Sequence, residues 1–235
     1  MGTRHRYVTL LASLPPLPDP PFGRQPLPIS PIRLDRRLTL LGDDDRAALE
    51  ALLALVDWRY TGTALSDSAF IRRYREAAQQ FSDHDIGDFA ETIVEHRTVV
   101  AALRRQRQGA TVPQAGTDWG IGPHLAHIRA HWSQPLLGLA AVFPWLAEAR
   151  RYLADGEHRE LERLLLGVEW RWLTRARCYH RFDFRAVVNY VLRWRIVAAW
   201  RRYNAEAAER RLRRSVHEGL GAYRTLFPAA MHPKE

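Results

Sequence analysis

Apolar positions along the chain fall into a succession of helical stripes. In "SPIRLDRRLTLL", Ile32, Leu34, Leu38 and Leu41 recur at near-helical spacing behind Ser30, which suits an N-cap, and Pro31, which suits the first helical position. Gly42 closes this element. Asp43, Asp44 and Asp45 then open the next, where a helix N-terminus favours negative charge, and Leu49, Leu52, Leu53, Val56 and Tyr60 form its stripe. Gly62 breaks the pattern, Ser66 or Asp67 caps again, and Phe70, Ile71, Tyr74, Ala77, Ala78 and Phe81 share one face of a third helix. A longer helix spans Asp85 to Gln108, with Phe89, Ile93, His96, Val100 and Leu103 on its inner side and a basic, glycine-ended C-terminus.

The stretch 109–123, "GATVPQAGTDWGIGP", reads as a loop or subdomain boundary. A short helix from His124 to Trp132 follows, and Pro144 starts or kinks another. Leu161, Leu164, Leu165, Val168, Trp172 and Leu173 give the stripe of a further helix. The last element, Asp183 to about Arg214, is broadly apolar through Ala198, which predicts a central helix packed on more than one side. Alternation of apolar and polar residues is absent except around Arg6 to Leu11, so the fold is read as all-α and multi-helix.

The exception is the start of the chain. Between Pro15 and Pro31 there are eight prolines, which can neither propagate a helix nor donate ladder bonds. This segment is expected to be an extended strap pinned by Leu14, Leu17, Phe22, Leu27 and Ile29, with Tyr7 to Leu14 as a short strand or buried extended run at its head. The predicted organisation is residues 1–29 as strap, 30–115 as a first helical part and 116–235 as a second, the last two separate or continuous.

Composition changes this picture little. The formal charge of +9 comes from arginine almost entirely, since Lys234 is the sole lysine; acidic partners suit it better than basic ones. Cys178 is the single cysteine, so no intrachain disulfide can form, and a cytoplasmic setting is expected. Tyr7 to Leu14 follows Arg4 and Arg6 as an export signal's apolar core would, but it is short and ends in Pro15-Pro16 without a cleavage pattern. The uncharged run from Ser133 to Ala147 falls short of the ~20 residues that cross a bilayer.

Chemistry-bearing patterns are few. In "PHLAHIRAHW", His124, His127 and His131 lie at i, i+3 and i+7 and would share one helix face, an arrangement that could present imidazoles to a metal. No carboxylate or cysteine stands beside them in sequence, and the helical metalloprotease pattern is missing. The competing reading is a partly exposed histidine face against Trp119 and Trp132. No phosphate loop, dinucleotide fingerprint or nucleophile elbow occurs, and Cys178, though flanked by Arg175, Arg177, His180 and Arg181, reads as a small apolar residue. Arginines interleaved with aromatics in "EWRWLTRARCYHRF" and "YVLRWRIVAAWRRY" could stack on single-stranded nucleic acid, but the same aromatics fall on core stripes, which disfavours that reading.

Two stretches together bear a likeness. "YVTLLASLPPLP" followed by "PLPISPIRL" resembles the opening of domain-of-unknown-function family 2764, and "VEWRWL" with "FDFRAVVNYVLRWRIVAAWRRYNAEAAERRL" resembles its Trp-containing and closing helices. The matching positions are Ala12 to Leu17, Pro28 to Ser30, Trp170 to Leu173, Phe182, Phe184, Tyr190, Leu192, Ile196 and Trp200. Genes of that family sit in operons for bacterial V/A-type ATPases, rotary enzymes that couple ATP turnover to ion movement. The resemblance implies a non-catalytic counterpart of the C/d component of the central stalk, an all-helical funnel joining the shaft to the membrane rotor ring. Its partners would be the shaft and ring components, with no cofactor, no small-molecule substrate, and a place at the inner membrane only through the complex. An assembly or regulatory factor of the same ATPase, a metal-dependent helical enzyme built on the three histidines, and an arginine-rich nucleic-acid binder are the alternatives.

Overall fold

A computed structural model describes residues 3–23, 25–56, 66–176 and 181–203. The described residues form an all-α fold: α1 (Thr3–Ser13), α2 (Pro31–Leu38), α3 (Asp43–Val56), α4 (Asp67–Asp83), α5 (Gly87–Arg107), α6 (Leu125–Ala130), a 3-10 turn (Pro135–Gly138), α7 (Leu146–Asp155), α8 (His158–Arg175) and α9 (184–203). No helix among them is long and apolar enough to cross a membrane. Gly62, Cys178 and the predicted continuation of the last helix to Arg214 lie outside the described residues.

Helix starts follow local chemistry. Ser30 Oγ accepts from the Arg33 amide with Pro31 in the first turn, and Ser66, rather than Asp67, caps α4 by accepting from the Ala69 amide. Pro144 precedes α7 instead of kinking it, and Gly156 ends α7 in the left-handed conformation (φ 71°).

The head of the chain departs from expectation. Tyr7 to Leu14 is not extended; it belongs to α1 up to Ser13. The reason is legible afterwards: Tyr7, Leu10, Leu11 and Leu14 recur at i, i+3, i+4 and i+7, a helical stripe that Val8 and Thr9 disguise as a strand. Leu10 is fully buried in the core and the other three pack against it. Ser13 Oγ donates to the Leu10 carbonyl at 2.7 Å, and Pro15-Pro16 stops the helix.

Two main apolar clusters make the interior. The larger joins Leu10, Ile29, Leu34 and Leu49 to Leu52, Phe81, Phe89, Ile93, Trp170, Val187, Val191 and Ile196, thus drawing on both sides of residue 115. The smaller joins Val99 and Leu103 of α5 to Trp119, Ile128, Leu137, Phe143, Leu146, Leu153 and Leu161. Helix α5, 21 residues and about 30 Å long, runs through both, with Phe89 in one and Leu103 in the other.

The strap lies over α8 and α9, and its polar contacts are specific. Tyr190 donates its hydroxyl to the Pro15 carbonyl at 2.8 Å, Trp194 its indole N–H to the Ile29 carbonyl at 3.0 Å, and Trp200 its indole N–H to the Phe22 carbonyl at 3.2 Å. Trp170 reaches the Asp19 carboxylate at 3.3 Å, and Arg37 of α2 donates to the Ser13 carbonyl. Phe22 also meets the Trp200 ring edge-to-face at 5.1 Å.

These contacts set an order of severity. Tyr190→Phe, which removes one partly buried hydrogen bond, should cost about 1 kcal/mol in urea denaturation. Trp200→Ala, which also empties the buried site under Phe22, should cost about 3–5 kcal/mol. A Trp200→Ala protein as stable as the parent would mean that the strap is not held there.

Candidate functional site

The histidine segment meets the middle of α5. That helix buries Glu95, His96 and Thr98, of which Glu95 and Thr98 meet residues 121–124. Thr98 Oγ1 accepts from the Ile121 amide at 3.0 Å while donating to the Val94 carbonyl at 3.1 Å. Glu95 Oε1 accepts from His124 twice, at 2.7 Å from ring Nδ1 and 3.3 Å from the backbone amide. Such closeness depends on "WGIGPH": a Cβ on Gly120 would stand 2.3 Å from Thr98 Cγ2, and one on Gly122 (φ +128°) would stand 2.7 Å from Glu95.

The three histidines do not act as one face. His124 precedes α6 and is held by Glu95, whereas His127 and His131 stack on each other with ring centroids 4.0 Å apart. His127 Nε2 donates to the Gly138 carbonyl at 3.1 Å, and His131 Nδ1 donates to the His127 carbonyl at 2.9 Å. The i, i+7 geometry fails because α6 is only six residues long and ends before His131, where the backbone leaves the helix (φ −113°, ψ 25°). Among the described residues no group of three or more His, Cys, Asp or Glu side chains is placed to hold a metal ion.

No family model, curated protein or solved structure matches this chain.

The residue that sequence reasoning underrated is His96. It lies on the inner side of α5 as the helical period predicts, 8% exposed, with its ring edge-to-face against Phe143 (5.7 Å) and Trp145 (5.5 Å). Its Nδ1 has no hydrogen-bond partner among the described residues. Burial, opposed by the neighbouring Glu95 carboxylate, lowers its pKa to about 4, so the imidazole is neutral at physiological pH. Phe143 also touches His124 (5.4 Å), so a single ring bridges the two imidazoles. The clue in the sequence was the dipeptide Glu95-His96 at a core register of α5, a titratable pair where apolar side chains are the rule.

A second polar feature is an open cleft of about 580 Å³ lined by Ser82, Asp85, Asp88, Arg181 and Arg185 among others. Its charges are paired with one another: Arg185 forks onto both Asp88 oxygens and lies 4.3 Å over the Phe89 ring, and Arg181 bonds Asp183 and Asp85. Within the arginine-rich aromatic stretches Trp170 and Trp200 are buried, each 4% exposed, whereas Phe182 is 48% exposed.

The two glycines on the same stretch of chain give a controlled comparison. Gly122→Ala places a Cβ against Glu95 and should destabilise the protein by about 2–3 kcal/mol. Gly116→Ala, also at positive φ (+80°) but with nothing within 4 Å, should cost less, about 1–2 kcal/mol from the backbone alone. Equal losses in chemical denaturation would show that the Glu95 contact is not tight.

Proposed function

We propose that this chain is a non-catalytic, all-helical component of a bacterial V/A-type rotary ATPase, a C/d-like socket between the central shaft and the membrane rotor ring. One observation carries the reading: residues at the two ends of the chain that bear the resemblance to family 2764 are partners in a single set of contacts. Pro15 of the opening motif accepts from Tyr190 of the closing helix, and Ile29 accepts from Trp194, which lies two residues beyond Leu192. Trp170 and Trp200 hold Asp19 and Phe22 between them. Motif positions that meet in this way belong to one structural unit, which is what kinship over the whole chain would need.

The physics of the role suits the build. A stalk element transmits torque through stiffness and surface complementarity, not through reacting groups. Here the N-terminal strap fastens α1 and α2 to α8 and α9, and the charged cleft is satisfied internally. Surface arginines remain for acidic patches on the shaft or for headgroups near the ring. In this reading the protein is peripheral to the inner membrane through the complex.

The test is biochemical. Tagged full-length chain should co-purify with the intact ATPase at fixed stoichiometry, and complexes lacking it should hydrolyse ATP without pumping ions. Association only with incomplete complexes would make it an assembly factor instead. A complex that assembles and pumps fully without it would remove the stalk role.

A further inference from the structure

Residues 119–145 are fastened to α5 at a few defined points. The Ile121 amide on Thr98 and the double bond from His124 to Glu95 form one side of the contact. On the other side Phe143 and Trp145 close over His96, and Phe143 packs against Trp145 at 5.7 Å. His127 and His131, stacked at 4.0 Å, tie α6 to the Gly138 carbonyl of the 3-10 turn.

We propose that this corner is an acid-released latch: protonation of His96 drives the Phe143–Trp145 turn away and loosens residues 119–145 from α5, while the strap and α1–α3 stay in place. The geometry supplies the reason. A neutral imidazole fits beneath two aromatic rings, but an imidazolium there finds no acceptor for its Nδ1 proton among the described residues. The charged group facing it is Glu95 on its own helix, and Glu95 Oε1 is already occupied by His124. From the packed-on segment the titratable group nearby is His124, beyond Phe143; Phe143 and Trp145 carry no charge.

Three further histidines belong to the packed-on segment: His127 and His131 stack with ring centroids 4.0 Å apart, and His124 Nδ1 lies 2.7 Å from Glu95 Oε1. His96 decides the balance because, of these histidines, it is the one buried deeply with an unsatisfied ring nitrogen.

The sign follows from its titration. Closed, His96 binds a proton only near pH 4; open, it recovers the ordinary value of 6.5. The closed form is therefore fully favoured above pH 6.5 and loses ground as pH falls from 6.5 towards 4.

Hydrogen–deuterium exchange on the full-length protein, corrected for intrinsic rates, reads this directly. Protection of the Ile121, His124 and Phe143 amides should fall about 25-fold between about pH 7.5 and about pH 5.0, with α1–α3 unchanged. His96→Phe, which keeps a ring in the site, should abolish the pH dependence and keep the protection seen at the higher pH. Should that variant not fold, nitrogen-detected titration of His96 in the parent protein replaces it: a neutral ring down to about pH 5 in the closed form, charging only as the segment opens, supports the latch. Equal protection at both pH values, unchanged pH dependence in His96→Phe, or a His96 that charges near its ordinary pKa of 6.5 while the segment stays closed would each overturn it.

Discussion

The structure rests on how a proline-rich segment satisfies its carbonyls. Between Pro15 and Pro31 the chain has many acceptors and few donors, since each proline lacks an N–H, so it cannot complete a ladder of its own. The donors come from aromatic side chains on α8 and α9: one tyrosine hydroxyl and two indoles on strap carbonyls, with a third indole on Asp19. Each aromatic serves twice, burying a large ring and delivering one directed polar group. The same contacts bring the beginning of the chain onto its last described helix, closing the larger core over Leu10 and Ile29.

Helix α5 is the second fixed element. Its N-terminal half belongs to the strap-bearing core and its C-terminal half to the smaller cluster around Phe143 and Leu146. Polar groups concentrate at the changeover: Glu95, His96 and Thr98 are buried there, and Arg97 beside them donates to the Leu55 and Val56 carbonyls at the end of α3. A helix that must serve two cores has no continuous solvent face in this region. Hydrogen bonding to glycine-lined backbone is how its interior polar groups are accommodated.

Most of the architecture is legible in the sequence because it is written in local spacing. The caps at Ser30 and Ser66, the stripe through Leu49 and Leu52, and the all-α class follow from helical periodicity and end chemistry alone. Two features are hidden for physical reasons. The helix at Thr3–Ser13 is masked by β-branched residues and by the prolines behind it, although its stripe at 7, 10, 11 and 14 is helical. The histidine site is hidden because sequence spacing assumes a continuous helix through His131, whereas the partner that organises His124 is Glu95, 29 positions away. Long-range pairing of that kind leaves no periodic trace. Gly120 and Gly122, which let the loop approach α5, look in the sequence like ordinary loop markers.

The strap's role as the clamp between chain start and chain end is tested most directly by comparing equilibrium unfolding of the full-length protein with that of a chain lacking residues 1–29. Loss of Leu10, Ile29 and all four aromatic contacts should lower the melting temperature sharply and reduce cooperativity. An unchanged melting temperature and slope would contradict that role, because the aromatic donors of α8 and α9 would then have no structural need of the strap.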